Sequence, residues 1–297
     1  MTAHLEGGSS LLWRTVFCYQ RPCWAQNDGR KMGPGYTKLV QTLPASVPFV
    51  GPEAQERARN RAFVARIGAN ENVFGPSPKT RAAMRRAVAG SWMYGDPESH
   101  DLRAALAQHH GIAAENIVVG EGIDALLGYL VRLLVAPVDT VVTSAGAYPT
   151  FNYHVTGFGG TLISLPYKAD CEDADALVKK AAQVEAKLIY LANPDNPMGS
   201  WHSAPAIAQM ISQLPADCLL VLDEAYLEFA PTGTAPPLDV SDARVIRMRT
   251  FSKAYGMAGA RVGYAIGAAG ADFFIQQGSQ PFRHVPDVAG RGVGGPG

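Results

Sequence analysis

The sequence predicts an α/β protein with a mostly parallel sheet covered by helices on both faces. Three observations predict it. From Ala113 onward, short β-branched runs alternate with segments whose apolar residues recur at helical spacing. One strand candidate, CLLVLD at 218–223, is a continuous apolar run, as expected of a strand buried on both faces. Polar clusters fall where the predicted strands end: Gly120-Glu121-Gly122, Asn193 to Gly199, Asp223 to Tyr226, and Thr250 to Lys253. Open α/β sheets gather function at the carboxyl ends of their strands.

In chain order, residues 1–36 carry no sustained period and read as a flexible arm or as sequence upstream of a start at Met32. A helix ending at His109-His110 is closed by Gly111, and the two imidazoles complement its C-terminal dipole. NIVVG (116–120) is the first strand of the alternating part. Ile123, Leu126, Leu127, Leu130, Val131 and Leu134 then form one apolar helix face. The strand TVVTS follows, and after the Gly159-Gly160 turn comes TLISLPY. A helix fits Asp173 to Val184, then the strand KLIYLANP, a helix over Ala206 to Leu214, and the strand CLLVLDEAY. RVIRMRT and RVGYAIG are the last strands, and no repeat or low-complexity tract interrupts the pattern.

The 297 residues suffice for one large domain and a smaller appendage, and 47% hydrophobic with 18% charged content fits a globular chain with a substantial core. The formal net charge is zero, so nothing argues for nucleic acid or an anionic membrane. Cys18, Cys23, Cys171 and Cys218 lack redox or zinc spacing and read as reduced thiols, and no metal site is expected. The apolar stretch Ala125 to Val142 is broken by Arg132 and Asp139, and the N-terminus has no secretory pattern. The expected location is cytoplasmic.

The chemistry centres on Lys253. Held at a strand end among Phe251, Tyr255 and Met257, its amine is expected to be partly desolvated, which favours the nucleophilic form. Thr250, Ser252 and Arg261 surround it with groups suited to a phosphate dianion. Asp223 ends an apolar strand, where a carboxylate is costly unless paired. It reads either as a cap for a neighbouring helix or as the partner of a buried cation such as a protonated pyridine nitrogen. Tyr226 lies close enough in sequence to donate to a phenolate oxygen. GEGIDALL opens a helix whose exposed N–H groups suit a phosphate, but its glycine spacing is not that of a dinucleotide fingerprint. NPDNPMGS alone is a turn. His100 and His154 show no clustered acidic partner, Ser144 to Ala147 lacks a nucleophile elbow, and Arg81, Arg85 and Arg86 read as a solvated helix face.

Taken together, NENVFGPSP, YGDPESHDLRAALA, GEGIDALL, YPTF, NPDNPMG, DEAY and TFSKAYGMAGARVGYAIG occur in an order that resembles the fold-type-I pyridoxal-phosphate aminotransferases. They look most like the histidinol-phosphate aminotransferase branch. The resemblance covers roughly residues 37 to 285. It implies a three-layer, mostly parallel large domain over 91–285, the N-terminal part of a small α/β domain over 37–90, and a Gly-rich tail over 286–297.

It also implies roles. Lys253 would carry pyridoxal 5′-phosphate as a Schiff base and act as general base and acid. Asp223 would pair with the pyridine nitrogen and support the electron sink. Asn196 and Tyr226 would hydrogen-bond the phenolic oxygen. Arg261 would bind the phosphate with Thr250, Ser252 and the backbone around Ile123 and Asp124. Phe151 would stack on the ring, with Tyr148 as a second candidate. Tyr94 would reach the phosphate of a partner subunit, implying a homodimer, and Asn72 would lie on the substrate side.

Several positions depart from the family pattern. Ile123 stands where the family has a small hydroxyl residue and Ala125 where it has an acid; Met198 replaces Thr or Ser, and Gly95 replaces Pro. The family's C-terminal arginine, which clamps the substrate carboxylate, has no counterpart; Arg283 and Arg291 do not match its motif, and the chain reads as truncated. The implied reaction is amino transfer from histidinol phosphate or an aromatic amino acid to a 2-oxo acid such as 2-oxoglutarate. The alternatives are a related decarboxylase of a phosphorylated amino acid, and a cofactor-binding chain without activity.

Overall fold

The computed structural model describes residues 35–43 and 50–269. The expectations for residues 1–34, Cys18, Cys23, Arg283, Arg291 and the tail lie outside the described residues. The chain divides into two compact units, 1–48 and 49–297. In the first, helix α1 (Lys38–Thr42) is capped by Thr37, whose hydroxyl accepts the Val40 N–H.

The second unit opens with α2 (Pro52–Arg59), α3 (Pro78–Ala87) and α4 (His100–His110). Gly111 closes α4 in the left-handed conformation at φ 67°, as the sequence predicts. The alternating part then runs β1 (Ile117–Gly120), α5 (Ile123–Leu134), β2 (Thr140–Ser144), α6 (Pro149–Gly157), β3 (Thr161–Leu165), α7 (Ala174–Gln183), β4 (Leu188–Ala192), α8 (Ala204–Ser212), β5 (Leu219–Asp223), β6 (Val245–Thr250) and β7 (Gly263–Ile266). Asp173 caps α7 through the Ala176 N–H. The sequence reading starts α8 after Pro205, whereas the helix begins at Ala204. A proline in the first turn gives up an N–H that has no intrahelical acceptor there. Helix α6 is absent from the sequence reading because PTFNYHVTG has no continuous apolar face.

The strands form one sheet in the order β1-β7-β6-β5-β4-β2-β3. All pairs are parallel except those of β7, which runs antiparallel to both β1 and β6. The connection from β6 to β7 contains no α-helix, so the chain turns back beside itself instead of crossing over.

Side chains alternate between the faces. Val118, Val141, Leu188, Tyr190, Val221, Ile246, Met248 and Ala265 pack with α5 and α6. Val142, Ile189, Leu191, Leu220, Leu222 and Val245 pack with α7 and α8. Toward the β1–β7 edge, Ile117, Tyr264 and Ile266 pack on Leu102 and Leu106 of α4. The result is the three-layer architecture the sequence predicts. Among the described residues no helix is long and apolar enough to cross a membrane.

Candidate active site

At the carboxyl ends of β1, β4, β5 and β6, the polar clusters predicted from the sequence come together. Lys253 follows β6 in the loop to β7 and is half-buried. Its Nζ lies 5.4 Å from the centre of the Tyr226 ring and donates to the Ala69 carbonyl at 3.3 Å. Asp223, the last residue of β5, is 6% exposed. Its Oδ2 accepts the Tyr190 hydroxyl at 2.8 Å and its Oδ1 the Ala225 N–H at 2.9 Å. Burial pushes the Asp223 carboxyl up to about 6, while Tyr190, the Ala225 N–H and the charge of Lys253 pull the other way. It caps no helix.

The segment before α3 docks on the lysine loop. Asn72 Nδ2 donates to the Ala254 carbonyl at 3.0 Å, and Asn70 Nδ2 to the Tyr226 hydroxyl at 3.0 Å. Gly256, at φ 66°, lies so close that a Cβ would stand 2.4 Å from the Gly75 carbonyl. Asn196 and Tyr226 line one cleft of about 460 Å³ with Asn70, Trp201 and Phe229.

A second cluster forms where α5 begins. Its N-cap is Gly122 at φ 91°, which offers no side chain to the first-turn N–H groups. Arg261 crosses this helix start, Nη2 donating to the Glu121 carbonyl at 3.2 Å. A Cβ on Gly122 would lie 2.7 Å from that nitrogen, so only glycine leaves the guanidinium its place. Thr250 and Ser252 are buried beside it. The Thr250 hydroxyl donates to Ser252 Oγ at 3.0 Å and accepts the Ser252 N–H at 3.0 Å.

Other expected residues fall elsewhere. Phe151 has no exposed surface and stacks on Tyr190 with ring centres 4.5 Å apart, so its ring belongs to the core. The half-buried aromatic on this side is Tyr148, whose hydroxyl is pushed up by burial and by Asp124 and Asp223. The Ile123 side chain is also core, leaving only its backbone at the helix start. Asp124 turns its carboxylate to His154 on α6, Oδ1 to Nε2 3.2 Å, correcting the expectation that this imidazole has no acidic partner. His100 likewise meets Asp101, on the surface. Tyr94 is 84% exposed.

The sequence reading missed two features. Tyr190 is the hydroxyl of an otherwise aliphatic buried strand, and such a group needs a partner, which was the available signal. Glu224, 1% exposed, binds Arg247 Nη2 at 2.5 Å and Arg249 Nε at 2.8 Å. The two arginines alternate along β6 and therefore share a face, which the spacing alone could have flagged.

A family model for aminotransferase class I and II matches residues 64–288. The chain belongs to this family. It is 38% identical over 233 residues to a histidinol-phosphate aminotransferase of Anaeromyxobacter sp. (strain Fw109-5), covering 76% of this chain and 63% of that one. To an aromatic amino acid aminotransferase of Mycolicibacterium paratuberculosis it is 38% identical over 207 residues, covering 68% and 58%. The chain thus spans less than two thirds of the length of these relatives. Among aminotransferases of known structure, the histidinol-phosphate aminotransferase from Sinorhizobium meliloti, solved in complex with pyridoxal-5′-phosphate, superposes with a TM-score of 0.80 at 49% identity, covering 87% of this chain and 69% of that one. In this member of the aminotransferase class I and II family, the two clusters around Lys253 and Arg261 are the candidate active site.

Proposed function

We propose that the chain is the large part of a pyridoxal-5′-phosphate-dependent aminotransferase that moves an amino group from histidinol phosphate or an aromatic amino acid to a 2-oxo acid such as 2-oxoglutarate. The observation that carries this reading is the placement of Lys253, just after β6, beside the strand β5 that ends at the buried carboxylate Asp223. The residues fit the cofactor on their own terms. Asp223 is an acid in a dry site that an adjoining cationic ring nitrogen would stabilise. The start of α5 has no side-chain cap, is crossed by Arg261, and is kept open by a glycine.

In this reading Arg261, Ser252, Thr250 and the N–H groups at Ile123 and Asp124 hold the phosphate. Asp223 keeps a proton on the pyridine nitrogen, and Asn196 and Tyr226 hydrogen-bond the phenolic oxygen. Tyr148 takes the place at the ring face first expected of Phe151. When bound, the cofactor supplies an aldehyde that condenses with amines and a ring that takes up an electron pair. Lys253 Nζ is the base that takes the α-proton of the amino donor. Asn72 fixes the lysine loop through Ala254 and borders the substrate side. Tyr94, on the surface, suits a contact to a second subunit in a homodimer, and a cytoplasmic location fits an enzyme of amino-acid biosynthesis.

The test is direct. The purified chain mixed with cofactor should develop a visible absorption band and move the amino group of histidinol phosphate to 2-oxoglutarate, and K253A should lose both. A folded chain that gives no band, or a K253A variant that keeps it, would overturn the assignment.

A further inference from the structure

Two acids flank the helix start that the proposed function gives to a phosphate. Glu121 precedes the Gly122 cap, and Asp124 is the second residue of α5. The Asp124 N–H belongs to that cradle, so its own carboxylate hangs only a few bonds from the anion's place. A carboxylate in a first helical turn is drawn to the exposed N–H groups there. Seated on them it would both occupy the cradle and repel a dianion.

The structure turns both acids aside. Glu121 Oε2 accepts the Tyr129 hydroxyl at 3.1 Å. Asp124 Oδ1 meets His154 Nε2 at 3.2 Å. An ionised carboxylate only accepts, so the imidazole in this contact carries a proton on Nε2. The ring reaches Asp124 by lying against α5 at Gly128, one turn further along the same face. A Cβ on Gly128 would stand 2.9 Å from His154 Cε1 and 3.1 Å from Nδ1. Glycine is a poor residue for a helix interior, and here it makes the space that the imidazole fills.

We propose that His154 is a positioning residue for the phosphate site: it holds the Asp124 carboxylate toward α6 and so leaves the first-turn N–H groups and Arg261 to the anion. Gly128 is the seat that lets it do so. The inference rests on the proposed function for the identity of that anion, the phosphate of pyridoxal 5′-phosphate. Arg261 is the cation at stake. Its Nη2 donates to the Glu121 carbonyl at 3.2 Å and its Nη1 to the Ala258 carbonyl at 3.1 Å. The donors left on the guanidinium suit a phosphate or a carboxylate equally, and a released Asp124 would compete for them.

The experiment uses the full chain and compares two ligands, pyridoxal 5′-phosphate and pyridoxal, which lacks the phosphate. H154A should bind the first roughly tenfold more weakly, the scale of one partly screened like charge beside the anion. Its affinity for pyridoxal should stay within about twofold of wild type, since no second charge is repelled. H154Q keeps an N–H donor and should recover most of the loss. G128A drives the ring off α5 with both partners intact, so it should lose affinity as H154A does, and it decides the matter should H154A fail to fold. In the D124N background H154A should cost less than about twofold, because no carboxylate remains to be released. Wild-type affinity in folded H154A and G128A, an equal loss for pyridoxal, or a loss that persists in the D124N background would overturn the role.

Inorganic phosphate gives a reading that does not depend on the ring. Without cofactor it should raise the thermal midpoint of the wild-type chain more than that of H154A. Equal responses, nil included, would overturn the role of His154. If the phosphate responses differ as expected while no form of the chain gives a visible band with the cofactor, the proposed function fails and the role of His154 at an anion site stands.

Discussion

The Tyr190 hydroxyl donates to Asp223 Oδ2 across neighbouring strands, at 2.8 Å, from a position with no solvent exposure. Phe151 stacks on the same ring and fixes its plane. The aromatic pair thus reaches the site through a single hydrogen bond: Phe151 holds Tyr190, and Tyr190 holds the carboxylate. Y190F preserves the stack and deletes only the donor. It should destabilise the chain by roughly 1–3 kcal/mol, the cost of leaving a buried acceptor short of a partner. Urea unfolding at pH 7 measures this, and an unchanged midpoint would show that the bond contributes nothing.

A pH dependence follows from Asp223 itself. Its folded carboxyl titrates near 6, above its ordinary 3.8, because burial disfavours the anion. The cofactor-free chain should therefore lose stability as pH rises from about 4 to about 6 on this group's account, and the loss should stop above 6. A cationic ring nitrogen reverses the preference, since it favours the ionised acid. Affinity for pyridoxal 5′-phosphate should rise with pH through the same interval and flatten above it. Spectrophotometric titration at pH 5, 6 and 7 checks the direction; an affinity that falls over this range contradicts the pairing.

The helix start at Gly122 gives a sharper mutational test. G122A places a methyl group 2.7 Å from Arg261 Nη2 at a backbone φ of 91°, so the guanidinium must shift from its place at the helix start. The positive φ, in an extended region that is essentially glycine's alone, should cost about 1–3 kcal/mol of stability. Cofactor affinity should drop at least tenfold, about the loss of one charge-assisted hydrogen bond to a phosphate. Parallel measurements of the unfolding midpoint and the cofactor dissociation constant separate the two effects. An affinity unchanged in a folded G122A would remove Arg261 from the phosphate site.

Strand order of occurrence, the α5 face and the Gly111 stop were legible because each depends on local period or on a backbone conformation that one residue type accepts readily. The positions of Asp223 and Lys253 at strand ends were legible from the apolar runs before them, and Arg261 from its place in the segment that follows the lysine. The fate of Phe151 was not, because whether an aromatic lines a site or fills a core depends on which strand lies under it. Only the neighbouring β4 decides that, by bringing Tyr190 beneath the ring. The Asp124–His154 contact was hidden for a similar reason. It joins α5 to α6, and α6 has no apolar stripe by which to place it. Glu224 with its two arginines was within reach, since the alternation along β6 puts both cations on one side of the strand.

Strand β7 has a bearing on how this sheet is assembled. Ile117 at the start of β1 finds its register partner in Ile266, and among the described residues β1 pairs with no other strand. A nascent chain emerging from its N-terminal side therefore carries the apolar segment IVVG with an open hydrogen-bonding edge until almost all of the alternating region has been made. Closure across so long a stretch is entropically slow. The lysine loop lies between β6 and β7, so both of its ends are fixed only when β7 takes its place, and the Lys253 amine and the completed sheet arrive together.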